Sequence, residues 1–212
     1  VRYGADVALA GVDLEVSGPA TVAVIGPNGS GKSTLLSAIA GLADPAAGSV
    51  QVSSPLAPAI VLQATEVERS LPITVRDAVA LARYPRLGLL KRFTAVDRTA
   101  VNNALTRLDA ADLADRQLHD LSGGQRQRVL VAQGIAQEAE ILLLDEPLTG
   151  LDVVSRQVIL DVVAEERAAG RLVVMTTHNL DDARRCDVVL LLATRPVACG
   201  PPEAVLTDRH LH

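Results

Sequence analysis

Nine residues constrain this chain more than any others: Gly26-Pro27-Asn28-Gly29-Ser30-Gly31-Lys32-Ser33-Thr34. They follow an apolar run, Thr21-Val22-Ala23-Val24-Ile25. They precede a helical pattern, Leu35-Leu36-Ser37-Ala38-Ile39-Ala40, which Gly41 can close. A strand, a G-x-x-x-x-G-K-S loop and a helix in that order predict a phosphate-binding P-loop. The glycines let successive backbone N–H groups turn inward with no Cβ in the way. The following helix aims its positive end at the anion. Lys32 adds a full charge toward the β- and γ-phosphates, and Ser33 offers Mg²⁺ a hard oxygen ligand. The pattern predicts a bound nucleoside triphosphate and leaves open what its energy drives.

At 212 residues the chain fits one domain with room for a subdomain. Its 49% apolar content excludes a disordered chain, and with one Phe, two Tyr and no Trp the core must be aliphatic. The net charge is −5 and no Lys/Arg-rich run stands out, so a nucleic-acid partner is not expected. The longest apolar runs, such as Val188-Val189-Leu190-Leu191-Leu192-Ala193, are far shorter than the roughly 20 residues a bilayer span needs. No secretory leader is evident. Cys186 and Cys199 lack metal-site or C-x-x-C spacing and read as buried or inert thiols.

Before the P-loop, Val12-Asp13-Leu14-Glu15-Val16 alternates as a half-exposed strand does. Tyr3, ahead of it, could stack on a base or be an ordinary edge tyrosine. After the P-loop helix, Ser49-Val50-Gln51-Val52 alternates again, and Ala59-Ile60-Val61-Leu62 reads as a buried strand with Gln63 at its end. A polar residue there faces the ligand crevice of an α/β sheet, or caps a turn. From residue 64 to about 120 helical patterns take over. Thr74-Val75-Arg76-Asp77 and Thr94-Ala95-Val96-Asp97 are capping boxes. Between their helices, residues 84–92 place leucines among cations, as a partner surface or a plain connection would.

Leu121-Ser122-Gly123-Gly124-Gln125 then opens another helix. Ser122 and Gln125 have capping-box spacing, and the glycines expose N–H groups at a helix N-terminus, so the segment is a simple cap or a second anion site. Ile141-Leu142-Leu143-Leu144 reads as a central strand delivering Asp145 and Glu146 to the crevice: Asp145 to hold Mg²⁺, Glu146 to polarise the water attacking the γ-phosphate. Thr149-Gly150-Leu151-Asp152 turns into a helix with apolar positions at Val158, Leu160, Val162 and Val163. Leu172-Val173-Val174-Met175-Thr176-Thr177 is a further strand ending at His178. Asn179 and Asp182 have N-cap and N3 spacing, the run from Val188 to Ala193 is the last strong strand, and a short helix is expected near Ala204-Val205-Leu206.

Taken together, the 26–33 loop, Gln63, the Leu121–Gln125 pentapeptide, Asp145-Glu146, Asp152 and His178 resemble, in order and spacing, the ATP-binding cassette ATPases, over essentially the whole chain. The resemblance implies a P-loop NTPase of α/β class: a RecA-like core (residues 1–63 and 126–212), an N-terminal antiparallel β subdomain and an inserted helical subdomain (about 64–125). It implies ATP and Mg²⁺ as cofactors. Tyr3 would be the adenine-stacking aromatic, and Gly26, Pro27, Asn28, Gly29, Ser30, Gly31, Lys32, Ser33 and Thr34 the phosphate loop. Gln63 would sense Mg²⁺ and the attacking water and link the site to a membrane partner. Ser122, Gly123, Gly124 and Gln125 would bind the γ-phosphate of ATP held by a second copy, so that two chains sandwich two nucleotides head to tail. Ser33, Gln63 and Asp145 would serve the metal. Glu146 would be the base, His178 the switch histidine, and Lys32 and Gln63 would complete the catalytic group. Asp152 would lie at the dimer interface.

The segment from Ala114 to Asp120 looks like the importer form of the family, and residues 82–90 and the Glu146-Pro147-Leu148-Thr149-Gly150-Leu151-Asp152 loop are similar to bacterial zinc, manganese and iron-chelate importers; Leu148 departs from the commoner short polar residue. The expectation is a cytoplasmic ATPase peripheral on the inner face of the membrane, bound to integral permease subunits and served indirectly by a solute-binding protein. An exporter ATPase is the alternative. A soluble cassette acting on DNA or ribosomes, or a non-catalytic binding module, fits the residues less well.

Overall fold

The computed structural model describes residues 1–4, 6–63, 72–87 and 92–211, with the side chains of Tyr3, Arg209 and Leu211 outside the description. In chain order the strands are β1 (Arg2–Tyr3), β2 (Asp6–Val7), β3 (Ala20–Ile25), β4 (Ala59–Val61), β5 (Ile141–Leu144), β6 (Leu172–Thr177), β7 (Val188–Ala193) and β8 (Arg195–Gly200). The helices are α1 (Lys32–Ile39), α2 (Val75–Ala80), α3 (Tyr84–Leu87), α4 (Ala95–Arg107), α5 (Gly123–Ala136), α6 (Val153–Ala168), α7 (Leu180–Ala183), α8 (Pro202–Val205) and α9 (Asp208–Leu211).

Six strands form one sheet in the order β4-β5-β6-β3-β7-β8, parallel from β4 to β7 with β8 antiparallel at the edge. The central strands read as continuous apolar runs because both faces are covered. Ala23, Ile25, Leu142, Leu144, Val173, Met175, Val189 and Leu191 point into one core, shared with α5, α6 and the helices of the inserted segment. Their alternate neighbours Val22, Val24, Leu143, Val174, Leu190 and Leu192 point into a second core, closed by Leu35 and Leu36 of α1 and by Leu9. Each fully buried leucine contributes about 1.5–3 kcal/mol of transfer free energy.

The parallel arrangement matters for function. The C-terminal ends of β3, β4, β5 and β6 lie on one edge, so Gly26, Gln63, Asp145 and His178 all follow strands that end there.

Two expected strands are absent. Residues 12–16 and 49–52 join no ladder, so among the described residues the antiparallel part ahead of the P-loop is the β1–β2 hairpin. The alternation at 12–16 still does its packing work: Val12, Leu14 and Val16 lean on the second core while Asp13 and Glu15 face solvent. Alternation orients side chains, but a strand also needs a neighbouring edge to bond. Conversely β8 was not anticipated. Pro196 and Gly200 weaken its pattern, and both are tolerated because β8 is an edge strand.

The helix caps fall where the local signals place them. Thr74, Thr94 and Ser122 sit at the N-caps of α2, α4 and α5, and the last two make complete capping boxes. Asn179 caps α7 by accepting from Asp181 N–H at 2.8 Å. Asp182 does not close that box; it is buried and paired with Arg156 of α6. Burial pushes its carboxyl above the usual range against the pull of Arg156. Arg83 is buried and donates to Asp97 (3.0 Å), Glu138 (2.7 Å) and the carbonyl of Ala136 (2.7 Å), tying α4 to the end of α5. Of residues 84–92, Tyr84 is exposed and Leu87 buried, while residues 88–91 lie outside the described residues.

Cys186 is buried and Cys199 exposed, and neither is in a disulfide. Burial pushes the Cys186 thiol up to about 12 and the Cys199 thiol up more modestly. Ellman's reagent at pH 8 is expected to titrate one thiol in the native protein and two in guanidinium. Two fast native thiols would show that the α7–β7 junction opens.

Candidate nucleotide site

Residues 26–31 leave the buried strand β3 as a loop, and α1 begins at Lys32 rather than at Leu35. Gly31 takes φ +95° at the N-cap, and a Cβ there would lie 2.5 Å from the carbonyl oxygen of Ala8. A Cβ on Gly26 would lie 2.0 Å from the carbonyl oxygen of Leu192 and 2.7 Å from Ser30 Oγ. Lys32 is buried, and its ammonium donates to the carbonyls of Gly26 (3.0 Å) and Pro27 (3.1 Å). The Ser30 hydroxyl is buried and has no hydrogen-bond partner among the described residues. An orphaned buried hydroxyl, a buried cation and glycines with no room for a side chain fit a loop made to wrap a polyphosphate. Ser33 is exposed on the first turn of α1, next to that loop, and Thr34 is half-buried.

Two strands away, Asp145 N–H extends the β4–β5 ladder by bonding the Val61 carbonyl at 2.8 Å. Its carboxylate is buried and accepts from Thr176 Oγ1 at 2.7 Å. Glu146 takes φ +48°, a left-handed conformation that costs of order 1–3 kcal/mol for a residue with a Cβ. The bend is held by Glu146 N–H donating to the same Thr176 hydroxyl at 2.7 Å. It swings the Glu146 side chain out of the strand, where Oε2 accepts from Thr149 Oγ1 at 3.0 Å and lies 3.9 Å from His178 Nδ1. His178 is mostly exposed and Glu146 mostly covered. Gln63 is exposed beyond β4. Tyr3 pairs with Asp6 in the β1–β2 hairpin, and its ring lies outside the described side chains.

The 121–125 segment packs differently from a free cap. Ser122 and Gln125 cap each other, with N–H to Oγ at 3.3 Å and N–H to Oε1 at 3.0 Å. A Cβ on Gly124 would lie 2.9 Å from Ser155 Oγ and 3.0 Å from Asp152 Oδ2, so the starts of α5 and α6 abut. Asp152 caps α6: Oδ1 accepts from Ser155 N–H (2.8 Å) and Oδ2 from Ser155 Oγ (2.9 Å). The Ser155 amide, then its hydroxyl, hold the Asp152 carboxyl below the usual range. Gly123 has open space where a Cβ would be. The second glycine loop therefore sits against the loop that follows Glu146, within one chain.

The model of the ABC transporter family matches residues 9–149. The chain belongs to that family. It is 37% identical to the manganese transport system ATP-binding protein MntB of Listeria monocytogenes, over all of this chain and 91% of that protein. It is 36% identical to the chelated iron transport system membrane protein YfeB of Yersinia pestis, over 93% of this chain and 70% of that one. It is 34% identical to the zinc transport system ATP-binding protein TroB of Treponema pallidum, over 94% and 78%. Among solved structures, a transporter in an inward-facing conformation, provisionally assigned to the metal-chelate type, superposes with a TM-score of 0.85 at 30% identity over 94% of this chain and 79% of that one. The protein is thus an ATP-binding cassette ATPase of P-loop NTPase fold. No described helix of this cassette is long and apolar enough to cross a membrane.

Sequence reasoning passed over Thr176 and Ser155. Thr176 carried a usable signal, a hydroxyl near the C-terminal end of an apolar strand, the same signal that marked Gln63. Ser155 carried a local one, its N3 spacing from the Asp152 cap, but its approach to Gly124 is remote in sequence and left no signal.

Proposed function

We propose that this cassette powers import of a transition metal, as the free ion or a chelate, through a membrane permease, working as a head-to-tail pair with a second copy. The observation that carries the reading is two glycine loops suited to phosphate in one chain, residues 26–34 and 122–125, followed in sequence by the carboxylate pair Asp145-Glu146. One nucleotide needs one such loop, so the second fits ATP held by a partner copy. The cargo class is supported by the manganese, zinc and chelated-iron transport named for its relatives.

In this reading residues 26–34 cradle the phosphates, and Lys32 exchanges its carbonyl partners for phosphate oxygens. Ser33, Asp145 and Gln63 hold Mg²⁺, which when bound neutralises charge on the β- and γ-phosphates. Glu146 orients water and takes its proton, and His178 steadies the γ-phosphate. Asp152, already engaged as a cap, sets the position of the 122–125 loop toward the second copy. Tyr3 stacks on adenine. The arm of residues 64–125 meets the permease at the inner face of the membrane, and a solute-binding protein delivers cargo from the other side.

The test is ATPase activity of membranes carrying the cassette with its permease and binding protein, with and without Mn²⁺, Zn²⁺ or an iron chelate. Stimulation by one cargo is expected. Activity indifferent to all three and to the permease would overturn the import reading.

A further inference from the structure

Between the P-loop strand and the strand that carries Asp145 lies β6, and one of its side chains touches both carboxylate residues. Thr176 is fully buried, paired in register with Val24 of β3, and sits one residue beyond the Leu144–Met175 pair of the β5–β6 ladder. Its hydroxyl donates to Asp145 Oδ1 and accepts from Glu146 N–H, each at 2.7 Å. We propose that Thr176 is a positioning residue for hydrolysis: one hydroxyl fixes which oxygen Asp145 presents and the backbone bend that aims Glu146. The inference rests on the reading of Asp145 and Glu146 given above.

The geometry leaves little choice. A hydroxyl has one proton to give, and here it goes to Oδ1; the described residues give Oδ2 no hydrogen bond, so Oδ2 is the oxygen left for the metal or its water. The same hydroxyl receives the Glu146 amide, at the residue where φ +48° turns the side chain and the following chain aside. A strand that simply ran on past Leu144 would carry Asp145 and Glu146 to opposite faces. With the bend pinned, both reach the crevice. Val or Ile would pack at position 176 equally well in an apolar strand, so a hydroxyl there is a choice that packing does not require. It acts through both carboxylate residues and touches no reacting atom.

The experiment compares Thr176→Val, Thr176→Ala and Thr176→Ser in the full chain. In Thr176→Val and Thr176→Ala, kcat should fall about 10–100-fold, and the Mg²⁺ concentration for half-maximal activity should rise about tenfold, as when groups behind a metal ligand are removed. KM for ATP should change less than about threefold, because residues 26–34 are untouched. Thr176→Ser, which keeps the hydroxyl, should recover most of both. Binding of Mn²⁺ in the presence of ADP, followed by electron paramagnetic resonance, gives a readout independent of turnover, with the same order expected. If Thr176→Val does not fold, Ala against Ser decides: equal Mn²⁺ affinity and equal kcat overturn the proposal. Should Glu146→Gln retain turnover, the assignment of the carboxylates fails. Should Glu146→Gln be inactive while Thr176→Val and Thr176→Ala match the parent in kcat and divalent affinity, only the role of Thr176 fails.

Discussion

Replacing Glu146 by glutamine is expected to lower kcat for ATP hydrolysis about 10²–10⁴-fold, the usual worth of a positioned general base. That is roughly 3–5 kcal/mol of transition-state stabilisation. The substitution is nearly isosteric. The amide oxygen can still accept from Thr149 Oγ1, and the backbone bond from Glu146 N–H to Thr176 is unaffected. What is lost is the ability to take a proton. ATP binding, which we assign to Lys32 and the loop around it, should stay within about threefold of the parent, as expected when an interaction made only in the transition state is removed. Because turnover would stall with nucleotide bound, the variant should also accumulate as an ATP-dependent dimer by size exclusion, where the parent does not. Hydrolysis within about threefold of the parent would remove Glu146 as the base. His178, 3.9 Å from its carboxylate, would then be the next residue to test.

What could be read in advance divides along a physical line. Features fixed by residues within a few positions were legible: the P-loop between β3 and α1, the caps at Thr74, Thr94 and Ser122, and the apolar runs of β5, β6 and β7. Each is a local choice of backbone or of hydrogen-bond partner. Features that need a partner far along the chain were not. Residues 12–16 alternate as a strand should, and still find no edge to bond. The Thr176 hydroxyl reaches back about thirty residues to Asp145 and Glu146, and Gly124 meets Ser155 across the start of α6. Asp182 shows both forces at once. Its spacing from Asn179 suits a cap, yet burial against Arg156 and Thr177 takes its carboxylate away from the helix end. The carboxylates were placed at the right strand end by pattern alone, whereas the bend that directs Glu146 depends on a neighbouring strand.

The other large effect is expected at Gly26, and it bears on folding and binding together. Gly26→Ala puts a methyl carbon where the Leu192 carbonyl oxygen is 2.0 Å away and Ser30 Oγ 2.7 Å away. The hydroxyl could turn aside, but the carbonyl belongs to a buried residue of β7, the strand beside β3. The loop must therefore lift from the sheet. Overpacking of this kind costs about 1–3 kcal/mol and more where the neighbour is backbone. At about 2–4 °C per kcal/mol for a chain of this size, Tm should fall by roughly 5–10 °C. The lift also breaks the reach of Lys32 Nζ to the carbonyls of Gly26 and Pro27 and moves the amides we assign to the phosphates, so ATP affinity should fall at least about tenfold, or 1.4 kcal/mol. Gly29 supplies the control. It has φ +77° with nothing within 4 Å of a would-be Cβ, so the same loop has an open side there. Gly29→Asn, a residue that tolerates the left-handed region, should lose about 1 kcal/mol or less of stability. Thermal unfolding and fluorescent-nucleotide binding on the two variants separate a wrapped loop from a merely tight turn. If Gly26→Ala binds ATP as the parent does, the contact between the loop and β7 is not what shapes the phosphate cradle.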